Sequence, residues 1–218
     1  MEPTEVLQEI AQQVAVCEKC ALHFSRKHAV PGEGPVNAKM LFIGEGPGFH
    51  ENEQGRPFVG AAGKFLDELL ARIDLSRDDV FITNVVKCRP PGNRDPQLDE
   101  LAACAGYLDR QIEVLNPPII VTLGRFSMAK FLPNARISDV HGQATWVKSR
   151  LIVPMFHPAA ALHQPTLKPA VEADFARLPG YIEQVAKGRA PLAPVKTEQK
   201  NSDTPQDDAG KATQLSLF

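Results

Sequence analysis

Four cysteines are the residues of this chain whose type and spacing point most directly to chemistry. Cys17 and Cys20 form a C-x₂-C pair, which brings two thiolates to one metal centre, and Cys88 and Cys104 complete a set of four. Zinc and an iron–sulfur cluster share this ligand set, so the spacing leaves both open. The alternative is that the cysteines are buried or reactive thiols without a metal. We expect a structural site, because nothing beside it resembles an electron-transfer partner.

A second chemical feature is a glycine-rich stretch made of residues 44–48, GEGPG, and 55–60, GRPFVG. It lies between an apolar run and a helical pattern, where glycines let backbone N–H groups approach a ligand closely. The P-loop pattern is absent, and the dinucleotide pattern lacks its third glycine. Glu45, Glu51 and Phe58 are embedded in this stretch. The alternative to a binding site is a plain strand-to-helix loop.

Two polar side chains follow apolar runs elsewhere in the chain. Asn84 comes near the end of the run at residues 80–86, and His157 follows the run at residues 151–156. Taken alone, such an asparagine is most often a turn former and a His-Pro pair is most often a loop corner. In an open parallel sheet, however, ligands bind beyond the carboxyl ends of the strands. We therefore expect the glycine-rich stretch, the Asn84 segment and the His157 loop to meet at one edge.

These residues need a framework, and the apolar periodicity supplies one. Strands are predicted at residues 40–43, 80–86, 119–123 and 151–156, and helices at 4–16, 61–73, 99–115, 125–131 and 168–185. Strands that alternate with helices indicate an α/β fold. We expect one domain over residues 1–187, with a central four-stranded parallel sheet flanked by helices.

Composition limits the class of protein. The 218 residues are 43% hydrophobic and 23% charged, with a net charge of −2. The chain as a whole therefore lacks the excess of positive charge that is typical of nucleic-acid-binding proteins, although this net charge is compatible with a basic surface on one face. No apolar run reaches the length of a membrane span, and the acidic N-terminus lacks the features of a signal peptide. We expect a cytoplasmic protein without membrane association, in which cysteines are metal ligands or thiols rather than disulfides.

The C-terminal part changes in composition. Residues 188–213 are rich in Ala, Pro, Lys, Gln, Asp and Thr, which predicts a disordered linker. The last five residues, QLSLF, restore apolar side chains and resemble the peptide motif that binds the bacterial sliding clamp. The predicted contact residues are Gln214, Leu215, Leu217 and Phe218. The alternative is a chance apolar terminus.

Taken together, these motifs resemble the family 4 uracil-DNA glycosylases, the iron–sulfur members of their superfamily. The resemblance spans residues 17–162 and rests on the C-x₂-C pair, both glycine motifs, the NVVKCRPP segment at residues 84–91, Cys104 and the pair His157-Pro158. It implies the uracil-DNA glycosylase fold and a 4Fe–4S cluster on Cys17, Cys20, Cys88 and Cys104. It also implies hydrolysis of the N-glycosidic bond of deoxyuridine in DNA, which starts base excision repair.

The resemblance assigns roles to individual residues. Asn84 reads the edge of the flipped uracil, Phe58 stacks on its ring, and His157 donates to O2 as negative charge grows on the departing base. Gly46 and Pro47 belong to the substrate-binding turn. Leu162 is the wedge that fills the vacated stack, with plain packing as the alternative.

The residue that positions the attacking water is open. In the best-known branch of the superfamily an aspartate in the glycine motif handles the water, but Gly46 occupies that place here, which leaves Glu45, Glu51 and Asn93 as candidates. By the same resemblance, Glu51 is alternatively the residue that crowds the ring near C5, where thymine carries a methyl group. The chain departs from the family after residue 48, where acidic residues are usual and Phe49, His50 and Asn52 stand instead.

Two further hypotheses belong to other classes. One is a clamp-associated DNA-binding module that keeps the fold without the activity; the other is a zinc-binding nucleotide hydrolase that uses the glycine-rich turn for phosphate. The favoured reading is a monomeric glycosylase that acts on uracil-containing DNA, single- or double-stranded. No basic insertion lies between Asn84 and Cys104, so turnover by hydrolysis is expected rather than covalent trapping by a histidine. His141 is expected to be structural.

Overall fold

A five-stranded sheet lies at the centre of the structure, a computed structural model that describes residues 2–188. The strands are β1 (Met40–Gly44), β2 (Val80–Asn84), β3 (Ile119–Leu123), β4 (Thr145–Val147) and β5 (Arg150–Met155). The helices are α1 (Pro3–Ala15), α2 (Phe49–Gln54), α3 (Ala61–Ala71), α4 (Leu98–Leu115), α5 (Arg125–Ala129), α6 (Ile137–Val140), α7 (Pro158–His163), α8 (Lys168–Phe175) and α9 (Leu178–Ala186).

The strand order is β2-β1-β3-β5-β4. The pairs β1–β2, β1–β3 and β3–β5 are parallel, and β4 joins the edge antiparallel to β5. The predicted fold class is thereby confirmed, with one strand more than the four expected. Strand β4 has only three half-buried residues, and its hairpin turns at Lys148 with a φ of +54°. It was missed because that turn carries none of the Gly or Asn residues that usually mark a two-residue hairpin.

Side chains on the sheet alternate between two apolar layers, as a strand requires. Phe42 and Val121 pack in the layer that contains the apolar residues of α3, α8 and α9, whereas Leu41 and Ile120 pack with those of α4. The strands β1, β2 and β3 are buried along their whole length. This explains why they read as continuous apolar runs rather than as alternating ones.

The C-terminal helical segment differs from the prediction of one helix at residues 168–185. It consists of α8 and α9, separated at Ala176 and Arg177. Pro179 lies in the first turn of α9, a position where its missing N–H costs nothing. In the interior of one long helix the same proline would break the hydrogen-bond ladder. Among residues 2–188, no helix combines the length and apolar composition needed to cross a bilayer.

Candidate functional site

A cleft of about 380 Å³ opens at the carboxyl edge of the sheet. The three segments expected to meet there do so. Predicted site residues that line the cleft are Glu45, Gly46, Pro47, Glu51, Phe58, Asn84, Asn93 and His157. Arg94 and His163 also line it. The volume falls in the range of pockets that hold small ligands.

Asn84 is the last residue of β2 and pairs with Gly44, the last residue of β1. Its side chain is 1% exposed, yet its amide Oδ1 has no hydrogen-bond partner among residues 2–188. A buried polar atom left unpaired costs about 1–3 kcal/mol, so this oxygen is suited to a ligand. A Cβ atom on residue 44 would lie 2.4 Å from that oxygen and 2.7 Å from the Phe58 ring. Only glycine at position 44 lets the amide and the ring approach each other.

Phe58 and His157 form one wall of the cleft. Their ring centroids lie 5.4 Å apart with an interplanar angle of 25°, a stacked arrangement. Phe58 has a φ of +51°, an uncommon conformation for a residue with a side chain. The guanidinium of Arg77 donates to the carbonyls of Pro57 and Phe58 and so holds this backbone in place. Such local strain is often found where a side chain must be aimed at a ligand.

The protonation state of His157 follows from its contacts. The backbone N–H of Ala159, in the first turn of α7, donates to His157 Nδ1 at 3.1 Å. Because Nδ1 accepts this bond, the proton of the neutral ring lies on Nε2. Burial lowers the pKa of His157 to about 4, although the nearby Glu51 opposes the shift. The ring is therefore a neutral Nε2–H donor at physiological pH.

The two glutamates in the glycine-rich stretch have different surroundings. The carboxylate of Glu51 accepts three backbone N–H bonds, from Gly48 at 3.0 Å and from Val59 and Gly60 at 2.9 Å each. It thereby ties the two glycine motifs together and caps α2. Glu45 lies in the cleft wall, and burial raises its pKa; Asp95 adds to this shift.

The four cysteines line one pocket beside the cleft, between the end of α1, the segment after β2, and α4. Arg26 donates to the Sγ of Cys88 at 3.4 Å, and the backbone N–H of Lys87 donates to the Sγ of Cys104 at 3.3 Å. Within the described residues, no three His, Cys, Asp or Glu side chains converge on a point where one metal ion would sit. Burial raises the pKa of Cys88, and that of Cys104 to about 11.

Lys87 connects this pocket to the cleft and was missed by the sequence analysis. Its side chain is 1% exposed, and its Nζ donates to Thr83 Oγ1 at 2.5 Å, the Asn84 carbonyl at 2.9 Å and Gln111 Oε1 at 2.7 Å. Three acceptors thus converge on Nζ, one for each proton of an ammonium group, while burial lowers the pKa of Lys87 to about 7. A lysine directly after an apolar run gives one signal of burial, but one of its acceptors, Gln111, lies 24 residues away in the chain.

Other predicted residues lie at the edge of the site or beyond the structure. Leu162 is on α7 and is 46% exposed, outside the cleft lining although its neighbour His163 is within it. Asn93 has its Oδ1 occupied by Arg89 Nε at 2.7 Å. His141 pairs with the buried Asp174 at 2.7 Å and is not part of the cleft lining. The linker and the predicted contact residues of the C-terminal peptide lie outside the described residues: Gln214, Leu215, Leu217 and Phe218.

Comparison with known proteins gives consistent matches. The family model of the uracil DNA glycosylase superfamily matches residues 31–177. A type-4 uracil-DNA glycosylase of Sulfurisphaera tokodaii is 50% identical over 182 residues, which cover 79% of this chain and 83% of that protein. A type-4 uracil-DNA glycosylase of Archaeoglobus fulgidus is 45% identical, over 80% of this chain and 92% of that protein. One of Thermotoga maritima is 43% identical, over 72% of this chain and 84% of that protein.

Proposed function

This chain belongs to the uracil-DNA glycosylase superfamily and, within it, to the type-4 enzymes, and on that premise we propose that it removes uracil from DNA. The reaction is hydrolysis of the N-glycosidic bond of deoxyuridine, which releases uracil and leaves an abasic site. The observation that carries the proposal is the buried amide oxygen of Asn84, which has no hydrogen-bond partner among the described residues and lies in the lining of the cleft.

Recognition of the base follows from this amide. Uracil presents an N3–H donor beside a carbonyl acceptor, and the Asn84 side chain supplies the complementary acceptor and donor. Phe58 lines the cleft and offers it a ring on which a flipped base stacks. Gly46 and Pro47 complete the wall of the turn, where a Cβ atom on residue 46 would meet Val86 at 2.8 Å.

Bond cleavage places negative charge on the leaving uracil and positive character on the sugar. His157, neutral with its proton on Nε2, donates to O2 of the base. This hydrogen bond strengthens as charge develops, so it stabilises the transition state more than the ground state. A neutral donor loses no proton to solvent at physiological pH and needs no prior protonation step.

Glu45 is the better candidate for positioning the attacking water. Both carboxylate oxygens of Glu51 already accept from backbone N–H groups of the two glycine motifs. This supports a role for Glu51 in holding the two motifs together at the cleft wall. The carboxylate of Glu45 lines the cleft, and burial raises its pKa and hence its basicity. Asn93 is less suited, because Arg89 occupies its amide oxygen.

The four cysteines fit a 4Fe–4S cluster. Four thiolates share one pocket, and an Arg26 and a Lys87 N–H are directed at two of the sulfurs, as is usual around clusters. Zinc takes the same four thiolates, so the metal content of the purified protein distinguishes the cluster from zinc. A bound cluster would link the segment that follows α1 to helix α4.

Two features beyond the cleft complete the proposal. Leu162, exposed on α7, fills the stack vacated by the flipped base in duplex substrates. Residues 214–218 dock on a bacterial sliding clamp, and the linker raises the local concentration of the enzyme at newly made DNA. Deletion of residues 214–218 should abolish binding to purified clamp and leave uracil release from short oligonucleotides unchanged; clamp binding that survives the deletion would contradict this part.

The proposed activity is tested with labelled oligonucleotides that carry U opposite G, U opposite A, unpaired U, or T opposite G. After incubation, alkali converts abasic sites to strand breaks. We expect breaks at uracil and none at thymine. Iron-loaded protein that breaks none of the uracil substrates would favour the non-catalytic DNA-binding module. The same preparation should contain about four iron atoms per chain and no stoichiometric zinc.

A further inference from the structure

An exposed aromatic ring stands at the rim of the cleft without a role in the chemistry described so far. Phe49 is the first residue of α2 and is 53% exposed. A single exposed apolar side chain is common on protein surfaces, so the position and the neighbours of this ring decide whether it marks a contact site. Phe49 directly follows Gly48, and Arg89, whose guanidinium lies over the Phe49 ring, directly precedes Pro90. Gly48 and Pro90 both line the cleft, which places this pair at the border of the pocket proposed for the flipped base.

The ring is held by its neighbours rather than loose. The Arg89 guanidinium lies over it at 5.4 Å from the ring centroid, within the range of a cation–π contact. The ring centroids of His50 and Phe49 lie 5.4 Å apart with an interplanar angle of 82°, an edge-to-face arrangement. Arg89 in turn donates from its Nε to Oδ1 of Asn93, and Asn93 lines the cleft.

The backbone below Phe49 is fixed as well. The carboxylate of Glu51 accepts from the Gly48 N–H at 3.0 Å and from the N–H groups of Val59 and Gly60. The start of α2 is therefore locked to the same motif that places Phe58 in the cleft. A ring that is oriented in this way loses little conformational entropy when a planar group stacks on it.

We propose that Phe49 and Arg89 form a stacking platform for the base next to the flipped uracil in single-stranded DNA. Such a base is unpaired and presents a π face, and base–aromatic stacking is tolerant of sequence. The guanidinium adds positive charge beside the backbone phosphates of the same strand. The proposal rests on the proposed function, since it places the neighbouring base relative to a uracil held in the cleft.

The platform is tested by binding to a single strand that carries 2′-fluoro-deoxyuridine, which resists cleavage, with 2-aminopurine on one or the other side of it. Stacking on the ring quenches the fluorescence of 2-aminopurine. Since stacking contributes about 1–3 kcal/mol per base, Phe49→Ala should weaken binding at least fivefold and abolish quenching at one flank. Phe49→Trp should restore both, and Phe49→Leu should restore neither.

Phe24→Ala is the matched control, because Phe24 is 83% exposed and lies outside the cleft lining; it should bind as the unaltered protein does. Binding of Phe49→Ala within twofold of the unaltered protein, or restoration by Phe49→Leu, would overturn the platform. These outcomes are separable from failure of the proposed function. An inactive unaltered protein would overturn the glycosylase, whereas an active one with unchanged Phe49→Ala binding would overturn only the platform.

Discussion

The protonation state of His157 is the most quantitative prediction that the site allows. Its Nδ1 accepts from the Ala159 N–H, and burial lowers its pKa to about 4 from the ordinary 6.5. At roughly 1.4 kcal/mol per pH unit, this favours the neutral ring by up to about 3 kcal/mol. At pH 7 only about one molecule in a thousand would carry an imidazolium at this position.

The perturbation is a pH titration, and the assay is NMR of protein labelled with ¹⁵N-histidine. The spectrum of His157→Gln identifies the signal of His157 among those of the six histidines. We expect this signal to keep the pattern of a neutral ring protonated on Nε2 from pH 8 down to about pH 5. A midpoint near 6.5, or a proton on Nδ1, would refute the reasoning from the Ala159 contact and from burial.

The same shift has a consequence for stability. The unfolded chain takes up a proton at this histidine near pH 6.5, whereas the folded protein resists it until about pH 4. The contribution to the free energy of unfolding is therefore present above pH 6.5 and is lost as the pH falls through 4. Relative to His157→Gln, the unaltered protein should lose up to about 3 kcal/mol over this window. A difference that stays constant with pH would contradict the shifted pKa.

Three further predictions concern other parts of the site. Gly44→Ala should abolish uracil release with little change in iron content, because its Cβ would lie 2.4 Å from the buried amide oxygen; activity within tenfold of the unaltered protein would contradict this. Glu45→Gln should slow single-turnover excision by about 10²-fold at unchanged thermal stability. Glu51→Gln should instead lower the free energy of unfolding by about 1–3 kcal/mol, because one amide oxygen cannot accept from all three backbone donors. The reverse pattern would exchange the roles of the two glutamates. Lys87→Met should cost about 1–3 kcal/mol in denaturant unfolding, because it removes the donor shared by Thr83 Oγ1, the Asn84 carbonyl and Gln111 Oε1. The exposed Lys64→Met is the control; equal stability of the two variants would argue against the buried network.

The elements that position the site could be predicted because the local signals agreed with one another. The apolar runs of β1, β2, β3 and β5 end in glycine, Asn84 or the His157 loop, and parallel pairing alone brings those ends together. The motifs therefore met in one cleft as expected. Helix α4 was also predicted within one residue of its observed bounds, since its apolar stripe is regular.

The contacts that tune the site could not be predicted in the same way. The tautomer of His157 depends on one backbone N–H in the turn that follows it, and the engagement of Glu51 depends on how the two glycine motifs fold against each other. The buried bonds of Lys87 join segments far apart in the chain. Such contacts follow from tertiary packing, which residue type and periodicity do not encode.

The most direct test of the central claim is the single-turnover rate of uracil release from a single-stranded oligonucleotide by Asn84→Ala. The unpartnered amide of Asn84 is the feature on which the reading of the base rests. Loss of one aimed hydrogen-bonding group in an active site typically slows the chemical step by about 10²–10³-fold. We predict a loss of that size in Asn84→Ala, while Asn37→Ala, an exposed asparagine outside the cleft, releases uracil at the unaltered rate. A rate for Asn84→Ala within tenfold of the unaltered protein would contradict the account.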